Sequence, residues 1–181
     1  ESHLKMLAVA GTHGQTTATA LLVGHFKELE VPVSYLLPAK TGFAEMGAFE
    51  SKGEYFIYEC DEFDRNFLAY EPYLSIITGV SWDHHEIFPT REDYQQAFLE
   101  FIGQSDSVTL WQEDADYLGL RAGTHQTVLN SGDPAIDKIT LAGRYNRLDA
   151  WLTIRAAHEL TGKPLEEIAR VASRFPGLSR R

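Results

Sequence analysis

Short apolar runs rich in β-branched and aromatic residues recur along most of the chain and predict β-strands. Several of these runs are continuously apolar rather than alternating, which is typical of parallel strands covered on both faces. The clearest runs cover residues 4–10, 33–37, 55–60, 74–80 and 107–111, and weaker candidates cover 127–130 and 136–141.

Helical patterns lie between these predicted strands. In the first of them, Ala18, Leu22 and Phe26 recur at a spacing that places them on one stripe of a helix. The stretch 40–53, which contains three glycines, is predicted to be a loop or a loose hairpin at the edge of the sheet. Strands that alternate with helices predict right-handed βαβ crossovers and an α/β fold with a mostly parallel central sheet. The predicted helices cover residues 15–30, 90–103, 146–161 and 164–174.

Composition and charge narrow the class of protein. The chain has 181 residues, the length of one domain, and no apolar run approaches the 18 or so residues of a membrane span. Its net charge of −10 argues against a nucleic-acid partner, which normally needs a basic surface. The single cysteine, Cys60, excludes an intramolecular disulfide and fits a cytoplasmic protein. The chain opens directly into a predicted strand, so we expect it to be cut from a longer protein.

A glycine-rich loop joins the first predicted strand to the first predicted helix. Gly11 and Gly14 allow backbone amides to turn toward a phosphate, and the N-terminus of the helix adds a partial positive charge. Thr16 stands where the hydroxyl of a P-loop binds Mg²⁺, whereas Gln15 stands where a P-loop carries its lysine. The two glycines alone are equally compatible with a tight turn, but their context favours a three-layer domain of the P-loop type.

Two further groups of polar residues follow predicted strands directly. The carboxyl ends of parallel strands form the edge of the sheet at which ligands bind, and carboxylates there are suited to hold Mg²⁺. Taken alone, the acidic residues after the first of these strands (59–64) are typical of a solvated acidic turn. Taken alone, the residues after the second strand (83–86) are typical of a surface loop with a histidine pair, and their spacing does not match a closed zinc site. Three such motifs at one edge are much less expected by chance. The groups are Glu59, Asp61, Glu62 and Asp64, and Asp83, His84, His85 and Glu86.

Together these motifs resemble the central, ATP-binding domain of the Mur ligases, which form amide bonds in peptidoglycan precursor synthesis. The resemblance extends from residue 4 to residue 181 and includes "LAGRYNRLDA" and "FPGLSRR", which are similar to the family's G-x-[HY]-N-x-x-N-A and F-x-G-x-x-R-R. Gln15 departs from the family's loop lysine, and Asp149 departs from the second asparagine of the adenine-side motif. The family loop reads G-T-x-G-K-[ST]-[ST], and this chain has Gly11, Thr12, His13, Gly14, Gln15, Thr16 and Thr17.

The resemblance implies roles for individual residues. Backbone amides of residues 11–17 would hold the β- and γ-phosphates of ATP, with Mg²⁺ bound by Thr16 and Glu59. His84 corresponds to the ligand of a second metal near the acceptor carboxylate, which makes Glu59 and His84 the expected catalytic residues. Tyr145 and Asn146 would face the adenine. Arg181, with Arg180 beside it, would lie near the nucleotide at the hinge to a third domain.

The resemblance also implies a reaction. ATP would phosphorylate the carboxylate of UDP-N-acetylmuramate, and the amine of L-alanine, or of a recycled murein peptide in a related branch, would attack the acyl phosphate. Residues 1–181 correspond to the central domain alone, without the family's N-terminal UDP-sugar domain and C-terminal amino-acid domain, so we expect this chain by itself to make no amide bond.

Two alternatives remain open. One is a degenerate nucleotide-binding module in which Gln15 has weakened catalysis. The other is an unrelated P-loop NTPase, which is disfavoured because its metal-binding strand would end in Asp, whereas this strand ends in Glu59.

Overall fold

A seven-stranded sheet forms the centre of the structure, a computed structural model that describes residues 4–38, 44–81, 86–123 and 125–176, without the side chains of Phe63 and Asp64. The strands are β1 (Lys5–Ala10), β2 (Val33–Leu36), β3 (Gly47–Ala48), β4 (Tyr55–Glu59), β5 (Leu74–Ile77), β6 (Ser107–Trp111) and β7 (Gln126–Leu129). The strand order is β3-β2-β4-β1-β5-β6-β7, and every neighbouring pair is parallel except β2 and β3.

Helices cover both faces of this sheet. The helices are α1 (Gln15–Glu28), α2 (Arg91–Gly103), α3 (Gln112–Leu118), α4 (Pro134–Asp137), α5 (Arg144–Thr161) and α6 (Leu165–Ser173), and Phe63–Ala69 forms a 3-10 helix. Side chains alternate along β1, so that Leu7 and Val9 pack with α1, α5 and α6, whereas Ala8 and Ala10 pack with α2 and α3. This arrangement confirms the predicted three-layer α/β fold. None of the helices in these described ranges is long and apolar enough to cross a membrane.

The strand prediction for 136–141 is wrong. Asp133 caps the short helix α4 by accepting a hydrogen bond from the backbone N–H of Ala135 at 2.9 Å, and Pro134 occupies the first helical turn. Ile136 and Ile139 are both buried, at a spacing of three residues that suits a helical turn. The Asp-Pro start signal therefore outweighs the apolar pattern of this short run.

The hairpin expected at the sheet's edge is present in its described part. Residues 47 and 48 pair antiparallel with Leu36 and Tyr35, which makes β3 the edge strand, while residues 40–43 lie outside the described ranges. Away from this edge, β4, β1 and β5 lie side by side at the centre of the sheet. Because these three strands are parallel, the loops after them meet at one edge.

Candidate nucleotide site

The loop between β1 and α1 is held in place by the end of β5. The N–H of Thr12 donates to the carbonyl of Gly79 at 2.8 Å, and the hydroxyl of Thr78 donates to the carbonyl of His13 at 2.6 Å. Gly11 has a φ of 153°, and a Cβ at this position would overlap Oγ1 of Thr78. Only glycine fits here without displacing the neighbouring strand end, so the loop is preformed rather than open.

Buried hydroxyl groups connect this loop to the acidic segment after β4. Oγ1 of Thr12 accepts a hydrogen bond from the N–H of Ser81 at 2.9 Å and lies 2.8 Å from the hydroxyl of Tyr94. Tyr94 in turn donates to Oε1 of Glu62 at 3.2 Å, and Glu62 is buried. Thr12 and Glu62 therefore use their side chains to fix the loop, and the backbone N–H of Thr12 is engaged as well, by the carbonyl of Gly79.

Thr16 and Glu59 come together beside the loop. The hydroxyl of Thr16 lies 3.2 and 3.1 Å from the two carboxylate oxygens of Glu59 and donates to them. Burial raises the pKa of Glu59, the hydrogen bond from Thr16 lowers it, and the charges of Asp61 and Glu62 raise it further. The carboxylate thus lies where a cation would relieve the cost of its burial.

This pair of oxygens fits a magnesium ion that is shared with phosphates. Mg²⁺ at nucleotide sites is usually held by one or two protein oxygens, with waters and phosphate oxygens completing its shell. Within the described ranges, no three His, Cys, Asp or Glu side chains form a cluster that could hold a metal without such help. Thr16 and Glu59 would be the protein's contribution, and phosphates would supply the rest.

A cavity of about 420 Å³ extends from the loop to the first turns of α5. Trp111, Val80 and Leu148 give it apolar walls of the kind that a nucleobase contacts. Its described lining contains no Lys or Arg, but it includes three carboxyl groups and one histidine. These are Glu113, Asp114, Asp149 and His13.

Two of these carboxyl groups are buried. Asp114 accepts a hydrogen bond from the N–H of Val80 at 3.0 Å, and burial raises its pKa to about 6. Asp149 packs against Gly14, and burial raises its pKa to about 7. Among the described residues that line the cavity, the protein therefore places acidic groups, rather than compensating cations, beside the loop.

The other predicted site residues lie at different distances from this cavity. Tyr145 lines it and is 84% exposed, so its ring is available for stacking. Asn146 is exposed, its amide donates to the carbonyl of Ala142 at 2.9 Å, and it is not among the residues that line the cavity. Gln15 and Thr17 occupy the first turn of α1 and are half-buried. His84 and Arg181 lie outside the described residues.

Sequence reasoning missed several residues that form the cavity wall. Trp111 and Asp114 lie where β6 passes into α3, at the same edge of the sheet as the three predicted motifs. The rule that ligands bind at the carboxyl ends of parallel strands applies equally to this junction. Applied there, it would have selected both residues.

The fold and this site define a P-loop-type α/β domain. The chain belongs to the Mur ligase middle domain family, whose sequence model matches residues 9–146. The resemblance expected from the motifs is therefore confirmed.

Two named relatives match nearly the whole of this chain. UDP-N-acetylmuramate–L-alanine ligases of Salinispora arenicola and of a Nocardioides species are 28% and 30% identical to this chain, and each match covers 98% of it. The chain spans only 41% and 42% of those two proteins.

Two crystal structures share the fold. The UDP-N-acetylmuramate:L-alanyl-γ-D-glutamyl-meso-diaminopimelate ligase of Neisseria meningitides has a TM-score of 0.80 at 22% identity, over 98% of this chain and 68% of that one. The UDP-N-acetylmuramate-alanine ligase MurC of Thermotoga maritima has a TM-score of 0.79 at 24% identity, over 99% of this chain and 47% of that one.

Proposed function

We propose that this chain is the ATP-binding central domain of an ATP-dependent amide ligase of peptidoglycan precursor synthesis, acting in the cytosol on UDP-N-acetylmuramate. The observation that carries the proposal is the contact between the Thr16 hydroxyl and the Glu59 carboxylate beside the loop. Two ligand oxygens in contact, one in the first turn of α1 and the other at the end of β4, are suited to a magnesium-bound triphosphate. L-alanine is the favoured amino acid because the curated relatives quoted above carry it in their names. A murein peptide is the second candidate.

The proposed chemistry depends mainly on positioning and on charge. The amides of residues 11–17 would hold the β- and γ-phosphates, while Thr16 and Glu59 would hold the magnesium ion. That ion, when bound, supplies positive charge at the phosphates. Tyr145 would stack on the base, with Asn146 near it, and His84 would hold a second metal. Arg181 would approach the nucleotide from the hinge. Transfer of the γ-phosphoryl group to the sugar carboxylate would give an acyl phosphate, which the amine then attacks.

Glu59→Gln should weaken the magnesium-dependent part of ATP binding. Glutamine keeps the size of the side chain and a carbonyl oxygen near Thr16 but removes the charge. Loss of one charge-assisted interaction costs about 1.5–3 kcal/mol, or roughly ten- to hundredfold in affinity. Calorimetric titration with ATP, in magnesium and in EDTA, measures the difference.

Glu54→Gln is the matched control, because Glu54 is an exposed carboxylate at the opposite end of β4. Its affinity should equal that of the unchanged chain. If Glu59→Gln retains the full magnesium dependence, the ion is not held at Thr16 and Glu59.

The purified 181-residue chain should bind Mg·ATP but form no amide bond. Neither the sugar-binding nor the amino-acid-binding domain of the family corresponds to these residues. The assay mixes the chain with UDP-N-acetylmuramate, L-alanine and Mg·ATP and follows the product by mass spectrometry. Detectable ligation would show that the domain assignment is wrong.

The alternative of a degenerate nucleotide-binding module is favoured by one observation, the glutamine at the lysine position of the loop. The genomic sequence on either side of residues 1–181 distinguishes the two proposals. Intact sugar-binding and amino-acid-binding domains support the ligase, whereas their absence or erosion supports the module.

A further inference from the structure

The carboxyl group of Asp149 is buried beside the phosphate loop without a partner among the described residues. The residue is 8% exposed and lines the cavity. A Cβ placed on Gly14 would lie 3.1 Å from each of its two oxygens, so the carboxyl group packs directly against the loop. No hydrogen bond or ion pair to this carboxyl group is formed within the described ranges. An acid on a buried residue that lines a cavity and keeps unused bonding capacity there indicates a group that binds a ligand.

The position of Asp149 is fixed by the packing of α5 on α1. One turn further along α5, the hydroxyl of Thr153 donates to the carbonyl oxygens of Asp149 and Ala150, at 3.1 and 2.9 Å. The same hydroxyl lies 2.9 Å from Nε2 of His25 on α1. Burial lowers the pKa of His25 to about 3, so this histidine is neutral and shares a hydrogen bond with the Thr153 hydroxyl. The two helices are thereby joined by a hydrogen bond one turn after Asp149, which fixes the backbone that carries this carboxyl group.

An ionised Asp149 would oppose the binding of phosphates. The titratable groups that line the same cavity are His13 from the loop, Glu113 and Asp114 from α3, and Tyr145 from α5. The two acids of α3 add to the repulsion, and no Lys or Arg in the described lining offsets it. In the absence of nucleotide, the partial positive charge at the N-terminus of α1 favours the ionised form of Asp149. A bound phosphate would compete with Asp149 for that charge.

We propose that Asp149 belongs to the nucleotide-binding site and takes part in it as the neutral carboxylic acid, so that binding of a nucleoside triphosphate takes up one proton at this side chain. The inference rests on the proposed function of the cavity as a nucleotide site. The neutral acid does not repel phosphate, and it presents a donor and an acceptor side by side. An asparagine presents the same pair at every pH.

The expected pH dependence follows from linkage. The pKa of Asp149 is raised by burial to about 7, so in the absence of nucleotide the group is protonated below that pH and ionised above it. If the bound state retains the proton, affinity is constant at low pH and falls by up to about tenfold per pH unit above 7. At pH 8 the unchanged chain should therefore bind Mg·ATP about tenfold more weakly than Asp149→Asn, whereas at pH 5.5 the two should bind equally.

Calorimetric titration of Mg·ATP into the 181-residue chain between pH 5.5 and 8.5 tests the inference. The terminal phosphate of ATP titrates near pH 6, and comparison with Asp149→Asn removes that contribution because both proteins bind the same ligand. Titrations at pH 7.5 in two buffers of different ionisation enthalpy count the protons that are taken up. This count is made on the unchanged chain and does not depend on a variant. We expect more than half a proton in excess of the value for Asp149→Asn.

An equal pH dependence in the two proteins, or no excess proton uptake, would overturn the inference. So would a result in which Asp114→Asn abolishes the pH dependence and Asp149→Asn keeps it, because the proton would then belong to Asp114. Binding that is present but independent of this proton leaves the proposed function intact. If the unchanged chain, Asp149→Asn and Gln15→Lys all fail to bind Mg·ATP at every pH, the proposed function fails and this inference falls with it.

Discussion

Replacing Gln15 with lysine should strengthen Mg·ATP binding by roughly five- to over a hundredfold, which corresponds to about 1–3 kcal/mol. Gln15 is the first residue of α1, directly after the loop. The loop amides and the helix N-terminus offer only partial charges, and the described lining of the adjacent cavity has no Lys or Arg. A lysine ammonium would bring a full charge to the β- and γ-phosphates. ADP should gain less than ATP, because only the β-phosphate remains within reach.

Calorimetry with both nucleotides measures this effect. Gln112→Lys is the control, because it adds the same charge at an exposed position at the start of α3, on the same edge of the sheet. It should change affinity little at physiological ionic strength, where the Debye length is about 8 Å. If Gln15→Lys leaves ATP affinity unchanged in an intact fold, residues 11–17 do not bind phosphates and form only a tight turn.

Replacing Asp149 with asparagine should stabilise the folded chain at pH 8 by up to about 4 kcal/mol and hardly at all near pH 4. Burial raises the pKa of this carboxyl group from 3.8 to about 7. The folded state therefore holds a proton that the unfolded state releases, and stability falls as the pH rises from about 4 to 7. A difference of about three pH units corresponds to about 4 kcal/mol, an upper value because the α1 N-terminus favours the anion.

Urea unfolding at pH 4.5 and at pH 8 measures this difference. Asp137→Asn is a suitable control, because Asp137 is an exposed acid on α4, and its effect should be small and the same at both pH values. If Asp149→Asn has the same effect on the free energy of unfolding at pH 4.5 as at pH 8, the carboxyl group is not held neutral by burial.

The fold was predictable because its central strands are buried on both faces. Continuously apolar runs such as residues 7–10 have no polar face to confuse with a helix, and such runs alternate with helical patterns along the chain. The 3-10 helix Phe63–Ala69 was not predicted. It follows an acidic segment that is fixed by the hydrogen bond from Tyr94 to the buried Glu62. Tyr94 lies 32 positions further along the chain. A pattern within one segment contains no information about such a partner.

The site was predictable to the extent that it depends on the direction of the strands. Three parallel strands necessarily bring their carboxyl ends to one edge, so Thr16 and Glu59 could be expected near each other, and they are in contact. The orientation of side chains on α5 was not predictable from the motif. Tyr145 and Asp149 are four residues apart and line the cavity, whereas the amide of Asn146 turns back and donates to the carbonyl of Ala142. The residue at which α5 begins determines which side chains face the cavity. The sequence pattern predicted that the helix begins at residue 146, whereas it begins at residue 144.

A crystal structure of the chain with Mg²⁺ and a non-hydrolysable ATP analogue tests the central claim most directly. We predict that the β- and γ-phosphate oxygens accept hydrogen bonds from the backbone amides of residues 11–17. The magnesium ion should lie about 2.1 Å from the hydroxyl oxygen of Thr16, with Glu59 beside it. Phosphates bound elsewhere on the chain, or bound in the loop with the ion distant from both Thr16 and Glu59, would contradict the account.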